Sequence, residues 1–221
     1  MTKRIGVLLA GCGHRDGSEI HEAALTLLAI EQCGQEAVCI APDGPQRLVM
    51  NHLTGEVRSE QRDIRIESAR IARGKVRDAA RTTVADLDAL IIPGGQGAAL
   101  NLSTFLADGV NCEVEKDVKR LILEVVRAKK PLGAICIAPA TVAKALEGSG
   151  ITTTLTVGHD NKVAAQIEQM GAKHESCATI NCVIDRENRI VSTPAYMNAK
   201  NIAEVWQGIE KLVHAIVEMC G

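Results

Sequence analysis

Short apolar runs recur along this chain, each closed by a turn rich in Gly or Pro and followed by apolar residues at helical spacing. The first run predicts a strand over Arg4–Ala10, a polar turn over Gly11–Gly17 and a helix from about Ser18 to Cys33. Ala24, Leu25, Leu28 and Ala29 form that helix's apolar stripe, Ser18, His21 and Glu22 supply polar groups at its start, and Gly34 is its C-cap. A second strand, Glu36–Ala41, ends at Pro42-Asp-Gly44. Strand, helix and strand in this order are how a parallel sheet begins.

From about 45 to 82 the pattern is polar and less periodic, which predicts an insertion: a hairpin around Asn51–Val57, then a short helix near Glu67–Ala72. The parallel rhythm resumes with strand Ala89–Ile92, helix Cys112–Ala128, strand Pro131–Ile135 and helix Pro139–Leu146. Beyond Gly150 the pattern predicts a strand near Thr153–Val157, helix Asn161–Met170, a hairpin of Cys182–Asp185 with Ile190–Ser192, and a closing helix over Asn198–Cys220. No repeat or linker divides the chain. The expected architecture is one α/β domain over residues 1–221, with a doubly wound, mostly parallel sheet sandwiched by helices.

Composition narrows the function classes. A net charge of −2 supplies no positive field for nucleic acid, and three aromatic residues (Phe105, Tyr196, Trp206) supply no base-stacking platform. No apolar stretch is long enough to span a bilayer, and the N-terminal run lacks the form of a signal peptide. The eight cysteines contain no CxxC pair and mostly sit singly beside apolar residues, as reduced, buried thiols do. A cytoplasmic protein is expected, with no nucleic acid or membrane partner.

One cysteine stands apart. In Leu132-Gly-Ala-Ile-Cys136-Ile-Ala138-Pro139 a short apolar strand meets a nucleophile-type residue and a helix starts at once. Ala134 and Ala138, two before and two after, are the small residues that a tight nucleophile elbow requires. A thiol there faces the positive end of the helix dipole, which favours the thiolate. On spacing alone a buried structural Cys in a βα unit is the commoner reading, and a second signal shifts that balance. Pro93-Gly-Gly-Gln-Gly97 ends another parallel strand, so its turn lies on the same carboxyl edge of the sheet, where ligands bind. N–H groups from that loop and from Ile137 are placed to cradle an oxyanion beside Cys136. Glu22, early in the first helix, falls on this edge too, as a proton carrier or a helix-end carboxylate. His14, His21 and His159 are the candidate histidines. No metal-ligand spacing or Walker loop is present, and Gly11-Cys-Gly13 lacks the third glycine of a dinucleotide fingerprint.

Taken together, these residues resemble the class I glutamine amidotransferase-like superfamily, in the branch that holds the PfpI protease, the parkinsonism-associated deglycase and cofactor-independent glyoxalases. The resemblance runs essentially the whole chain. Its anchors are Gly17-Ser-Glu-Ile-His-Glu22, Ile92-Pro-Gly-Gly-Gln-Gly-Ala-Ala-Leu-Asn-Leu-Ser103, Ala134-Ile-Cys-Ile-Ala-Pro139 and the tail from Thr193-Pro-Ala-Tyr196. Asn51-His-Leu-Thr-Gly-Glu56 and the turn at Cys12 are most similar to the glyoxalase members.

The resemblance implies a flavodoxin-like fold, Cys136 as nucleophile, Glu22 as acidic partner, and an oxyanion role for Gly95 and Ile137. A third residue, histidine in much of the superfamily, is unsettled. The protease type places it directly after the Cys, where Ile137 stands, and His159 falls near the position used by the deglycase branch. That departure counts against peptidase and glutaminase chemistry. The implied activity is conversion of a small 2-oxoaldehyde and water to a 2-hydroxy acid, with no cofactor and no metal, in a homodimer. The alternatives are a protein deglycase and a redox-sensing protein with an oxidisable Cys136.

Overall fold

The computed structural model describes residues 1–221. The chain opens with β1 (Arg4–Leu8), α1 (Ile20–Gln32) and β2 (Glu36–Ala41). A small hairpin of β3 (Val49–Met50) and β4 (Val57–Arg58) follows, then α2 (Ile64–Ile71) and β5 (Arg77–Asp78). The middle of the chain runs through β6 (Ala89–Ile92), α3 (Phe105–Asp108), α4 (Lys116–Arg127), β7 (Leu132–Ile135) and α5 (Ala138–Leu146). It ends with β8 (Thr154–Leu155), α6 (Asn161–Gln169), β9 (Lys173–His174), β10 (Val183–Asp185), β11 (Ile190–Thr193) and α7 (Ile202–Met219).

Seven strands form one sheet in the order β10-β11-β7-β6-β1-β2-β5. All its pairings are parallel except that of β10 with β11. This is the doubly wound α/β sandwich that the apolar pattern predicts. Alternate residues of each strand face opposite helix layers. Ile5, Val7 and Leu9 join the core shared with Val205, Ile209 and Leu212 of α7. Leu8 and Ala10 join the opposite core, with Leu121 and Val125 of α4 and Val142 of α5. Both faces are covered, so the strands read as continuous apolar runs.

The strand order reverses at β1, whose neighbours are β2 on one side and β6 on the other. The loops after β1 and β6 therefore flank a crevice at the carboxyl edge, the position where open α/β sheets bind ligands.

Several expectations need correction. Helix α1 begins at Ile20, and its cap is Glu19, whose carboxylate accepts the Glu22 N–H. Ser18 is buried in the preceding loop, and its hydroxyl accepts the Ala10 N–H at the end of β1. The strand expected over Thr153–Val157 shrinks to β8, which pairs with the unpredicted β9 in a separate two-stranded sheet. Within 45–82, the polar pair Arg77–Asp78 adds β5 to the main sheet beside β2. An edge strand held by backbone bonds leaves no apolar signature to read. Helix α2 starts before Glu67 because Asp63 caps it by accepting the Ile66 N–H. Helix α4 starts after Cys112, where Glu115 accepts from the Asp117 and Val118 N–H groups.

Candidate active site

Cys136 sits between β7 and α5 with φ at 61°, a left-handed conformation rare for a residue with a side chain. Strain of this kind costs about 1–3 kcal/mol and survives only where surroundings enforce it. The Cys136 N–H donates to the Thr193 carbonyl at 2.9 Å, which ties the elbow to the end of β11. Ala134 and Ala138 are fully buried on either side, as the crowding of the turn demands. The backbone N–H groups of Gly95 and Ile137 both favour charge on the Cys136 sulfur. Two glycines make this possible. A side chain on Gly94 would come within 2.5 Å of Cys136 Cβ and 2.8 Å of Glu22 Oε2. Gly95 adopts φ of 92°, and a Cβ there would run into the backbone nitrogen of Glu19.

Glu22 has no exposed surface. Its Oε2 accepts the Gly94 N–H at 2.9 Å, its Oε1 accepts the Tyr196 N–H at 3.3 Å, and the Cys136 side chain lies beside its carboxyl group across Gly94. Four segments thus meet at one point: the start of α1, the loop after β6, the elbow after β7 and the turn after β11.

The electrostatics differ from the sequence expectation of a thiolate favoured by the helix terminus. Cys136 is only 7% exposed. Burial raises its thiol well above the ordinary value and the Glu22 charge raises it further, while the Gly95 and Ile137 N–H groups pull it down. Burial also pushes the Glu22 carboxyl up to about 8, with Glu19 adding to the rise and the Tyr196 and Gly94 N–H groups opposing it. Two such groups in contact titrate as a pair. The carboxyl, pushed up to about 8, gives up its proton first, and the negative charge then lies on Glu22, facing the Gly94 and Tyr196 N–H donors.

The histidines lie outside this contact. His159 is exposed, and it reaches the site region only through its backbone, whose N–H donates to Asn198 Oδ1 at 2.9 Å. Neither Cys136 nor Glu22 hydrogen-bonds to it. His14 is at the surface, with its ring 5.0 Å from that of His52 and its carbonyl accepting the Gln96 N–H. His21, also exposed, lies with its Nδ1 2.7 Å from the Tyr196 hydroxyl. The sequence pointed to no role for Tyr196 or Glu19 on Glu22. The only available signal was proximity to Glu22 in one case and to the end of β11 in the other.

Comparison with known proteins places the chain in a family. The chain is 41% identical over 228 aligned positions to the human "Glutamine amidotransferase-like class 1 domain-containing protein 3, mitochondrial", covering 99% of this chain and 84% of the relative. It is 40% identical, with the same coverage, to the rat "ES1 protein homolog, mitochondrial". The chain belongs to the ES1 family of glutamine amidotransferase-like class 1 proteins. No family model matches it. Among solved structures, an isoprenoid biosynthesis protein with an amidotransferase-like domain from Ehrlichia chaffeensis superposes with a TM-score of 0.90 at 40% identity, covering 97% of this chain and 99% of that one. Drosophila melanogaster DJ-1beta shares the fold alone, at a TM-score of 0.59 and 15% identity over 99% of this chain and 96% of its own. ES1-family membership thus sits inside the wider amidotransferase-like and PfpI-like fold group that the elbow and Pro93-Gly-Gly95 resemble. No helix of the chain is long and apolar enough to cross a membrane.

Proposed function

We propose that this protein is a cofactor-independent glyoxalase that converts a small 2-oxoaldehyde and water to a 2-hydroxy acid. The observation that carries this reading is the buried contact of Cys136 with Glu22, a carboxyl that titrates near pH 8. In the singly ionised pair, the Glu22 carboxylate takes the Cys136 thiol proton as the sulfur adds to the aldehyde carbon, and passes it to the oxygen of the hemithioacetal that forms. Glu22 in carboxylate form removes the proton from that carbon, giving an enediolate, and returns it to the neighbouring carbon while the hydroxyl proton passes from the first oxygen to the second. The product is a thioester of Cys136. Water adds to it, the C–S bond breaks, and the 2-hydroxy acid leaves with the thiol restored. The Gly95 and Ile137 N–H groups stabilise the charge that develops on sulfur and are near enough to serve the oxyanion of the thioester step.

The proposal extends to the finer likeness of Asn51–Glu56 and the Cys12 turn, which is to the glyoxalase ElbB, the enhancing lycopene biosynthesis protein. Those two segments are fastened together here: Asp16 Oδ2 accepts the Met50 N–H at 2.8 Å, just before the Asn51–Gly55 turn. The compartment belongs to the same proposal. All eight cysteines are free, which fits a reducing compartment, the cytoplasm expected from the sequence or the mitochondrion in the relatives' names.

Glyoxal turnover by freshly reduced protein tests the reading. A rate proportional to protein and abolished in Cys136→Ser supports it. Absence of turnover at substrate concentrations in the millimolar range refutes it. A redox sensor would show oxidation-dependent partner binding with no turnover, which the same assay separates. A deglycase would release product from an aldehyde-modified peptide faster than free aldehyde dissociates from it, which a trapping control separates.

A further inference from the structure

Tyr196 meets the Cys136–Glu22 pair through its backbone and the protein surface through its ring. Its N–H donates to Glu22 Oε1 at 3.3 Å, and its hydroxyl lies 2.7 Å from Nδ1 of His21, the residue before Glu22 on α1. The two rings are 5.8 Å apart and inclined at 46°. The turn that presents this N–H is strained, because Ala195 has φ of 43°. One end of the turn is fixed at Thr193, whose carbonyl accepts the Cys136 N–H and whose hydroxyl donates to the Asn181 carbonyl at 2.7 Å. The other end is fixed at Asn198, which accepts the His159 N–H. Between these ends, the Tyr196 hydroxyl makes the turn's single side-chain hydrogen bond to α1.

The donors on Glu22 are unequal. The Gly94 N–H is rigidly placed by the end of β6 and binds at 2.9 Å. The Tyr196 N–H binds at 3.3 Å from a strained turn and is the contact that relaxation would lose first. The titratable groups acting on Glu22 are Cys136 from the elbow and Glu19 from the start of α1, and no Lys or Arg pairs with it. Glu19 Oε1 is also 4.0 Å from His21 Nδ1, so the same short stretch of α1 carries both the opposing charge and the anchor.

We propose that the His21–Tyr196 hydrogen bond is a positioning device that holds the Tyr196 N–H on Glu22 and so sets the pH at which the Cys136–Glu22 pair gives up its first proton. Without the bond the Ala195 turn relaxes, the ionised carboxylate loses a donor, and the pair keeps both protons to higher pH. A hydrogen bond to a charged group of this length shifts such a midpoint by roughly 0.5 to 1 pH unit.

The test is the ionisation of Glu22 as a function of pH, read as loss of its protonated-carboxyl C=O band by infrared difference spectroscopy against Glu22→Gln. It requires no aldehyde, so its outcome is independent of the glyoxalase reading. Tyr196→Phe and His21→Ala are each expected to raise that midpoint by roughly 0.5 to 1 pH unit. The double variant should match either single one, because both remove the same bond. A merely structural role would change the amplitude of the band or the unfolding midpoint in urea, leaving the ionisation midpoint in place. An unmoved midpoint in either folded variant, or additive shifts in the double, overturns the proposal. His21 is exposed, so its variant carries the test even where Tyr196→Phe fails to fold.

Discussion

Glu22→Gln removes one ionisable group from the interior and should change how stability depends on pH. The carboxyl moves from 4.5 in the unfolded chain to about 8 in the native protein, chiefly through burial. Its folded-state value is raised, so the native state favours the protonated form. That advantage is fully present below pH 4.5 and is lost as pH rises through the window to about 8. Within it the unfolded chain releases a proton that the native state retains, and each pH unit costs about 1.4 kcal/mol. Over the whole window the loss comes to about 5 kcal/mol, a large part of the 5–15 kcal/mol by which domains are ordinarily stable. The assay is urea unfolding of wild type and Glu22→Gln at pH 5, 6, 7 and 8 in matched buffers. The difference between the two curves isolates Glu22 from every other titrating group. Wild type should lose ground to the variant by about 1.4 kcal/mol per unit across the series, whatever the offset at pH 5. Parallel curves would refute the reasoning. They would mean that the native pair releases a proton near pH 5, as a stabilised thiolate beside a protonated carboxyl would. The thiol itself does not confuse the result, because an unfolded cysteine holds its proton throughout this window.

On the proposed reaction, kcat/KM for glyoxal should rise about tenfold per pH unit below pH 8 and level off above it, and a flat profile from pH 6 would point to a different base. Glu22→Gln should lower kcat by about 10² or more with the fold retained by circular dichroism, since the amide cannot carry the proton between carbons. His159→Ala should cost about tenfold or less in kcat/KM, because an aldehyde is electrophilic without a base–thiol pair; a loss equal to that of Cys136→Ser would restore a Cys–His–Glu scheme. Gly94→Ala places a methyl group 2.5 Å from Cys136 Cβ and 2.8 Å from the Ile135 carbonyl. Such overpacking should lower stability by about 1–3 kcal/mol, or roughly 3–10 °C in Tm by calorimetry.

What the sequence made legible, and what it did not, follows from where each signal is stored. Strands buried on both faces announce themselves, because every residue of Ala89–Ile92 or Leu132–Ile135 must be apolar or small. The elbow was readable for a related reason: a left-handed Cys136 tolerates only small neighbours, and Ala134 and Ala138 record that constraint in the chain. Short segments held by backbone bonds store nothing comparable. The pairings β5 with β2 and β8 with β9 rest on a few main-chain contacts, and Arg77–Asp78 or Lys173–His174 carry no pattern.

The protonation of the site was the least legible feature, and the reason is physical. Sequence places Cys136 at a helix N-terminus and Glu22 on the same edge, from which a favoured thiolate follows. Whether a helix terminus wins depends on how much water remains, and water is a property of the packed molecule. Here the β6 loop, the elbow and the β11 turn close over the pair until Glu22 has no exposed surface. A helix end is worth about 1 kcal/mol near the surface, whereas the rise of the Glu22 carboxyl corresponds to about 5 kcal/mol, so burial decides the charge state. The donors that oppose burial are four backbone N–H groups, on Gly94, Gly95, Ile137 and Tyr196. Backbone donors have no residue type. A site that tunes its chemistry with them can be located from side chains, and its working pH can be read only once the chain is folded.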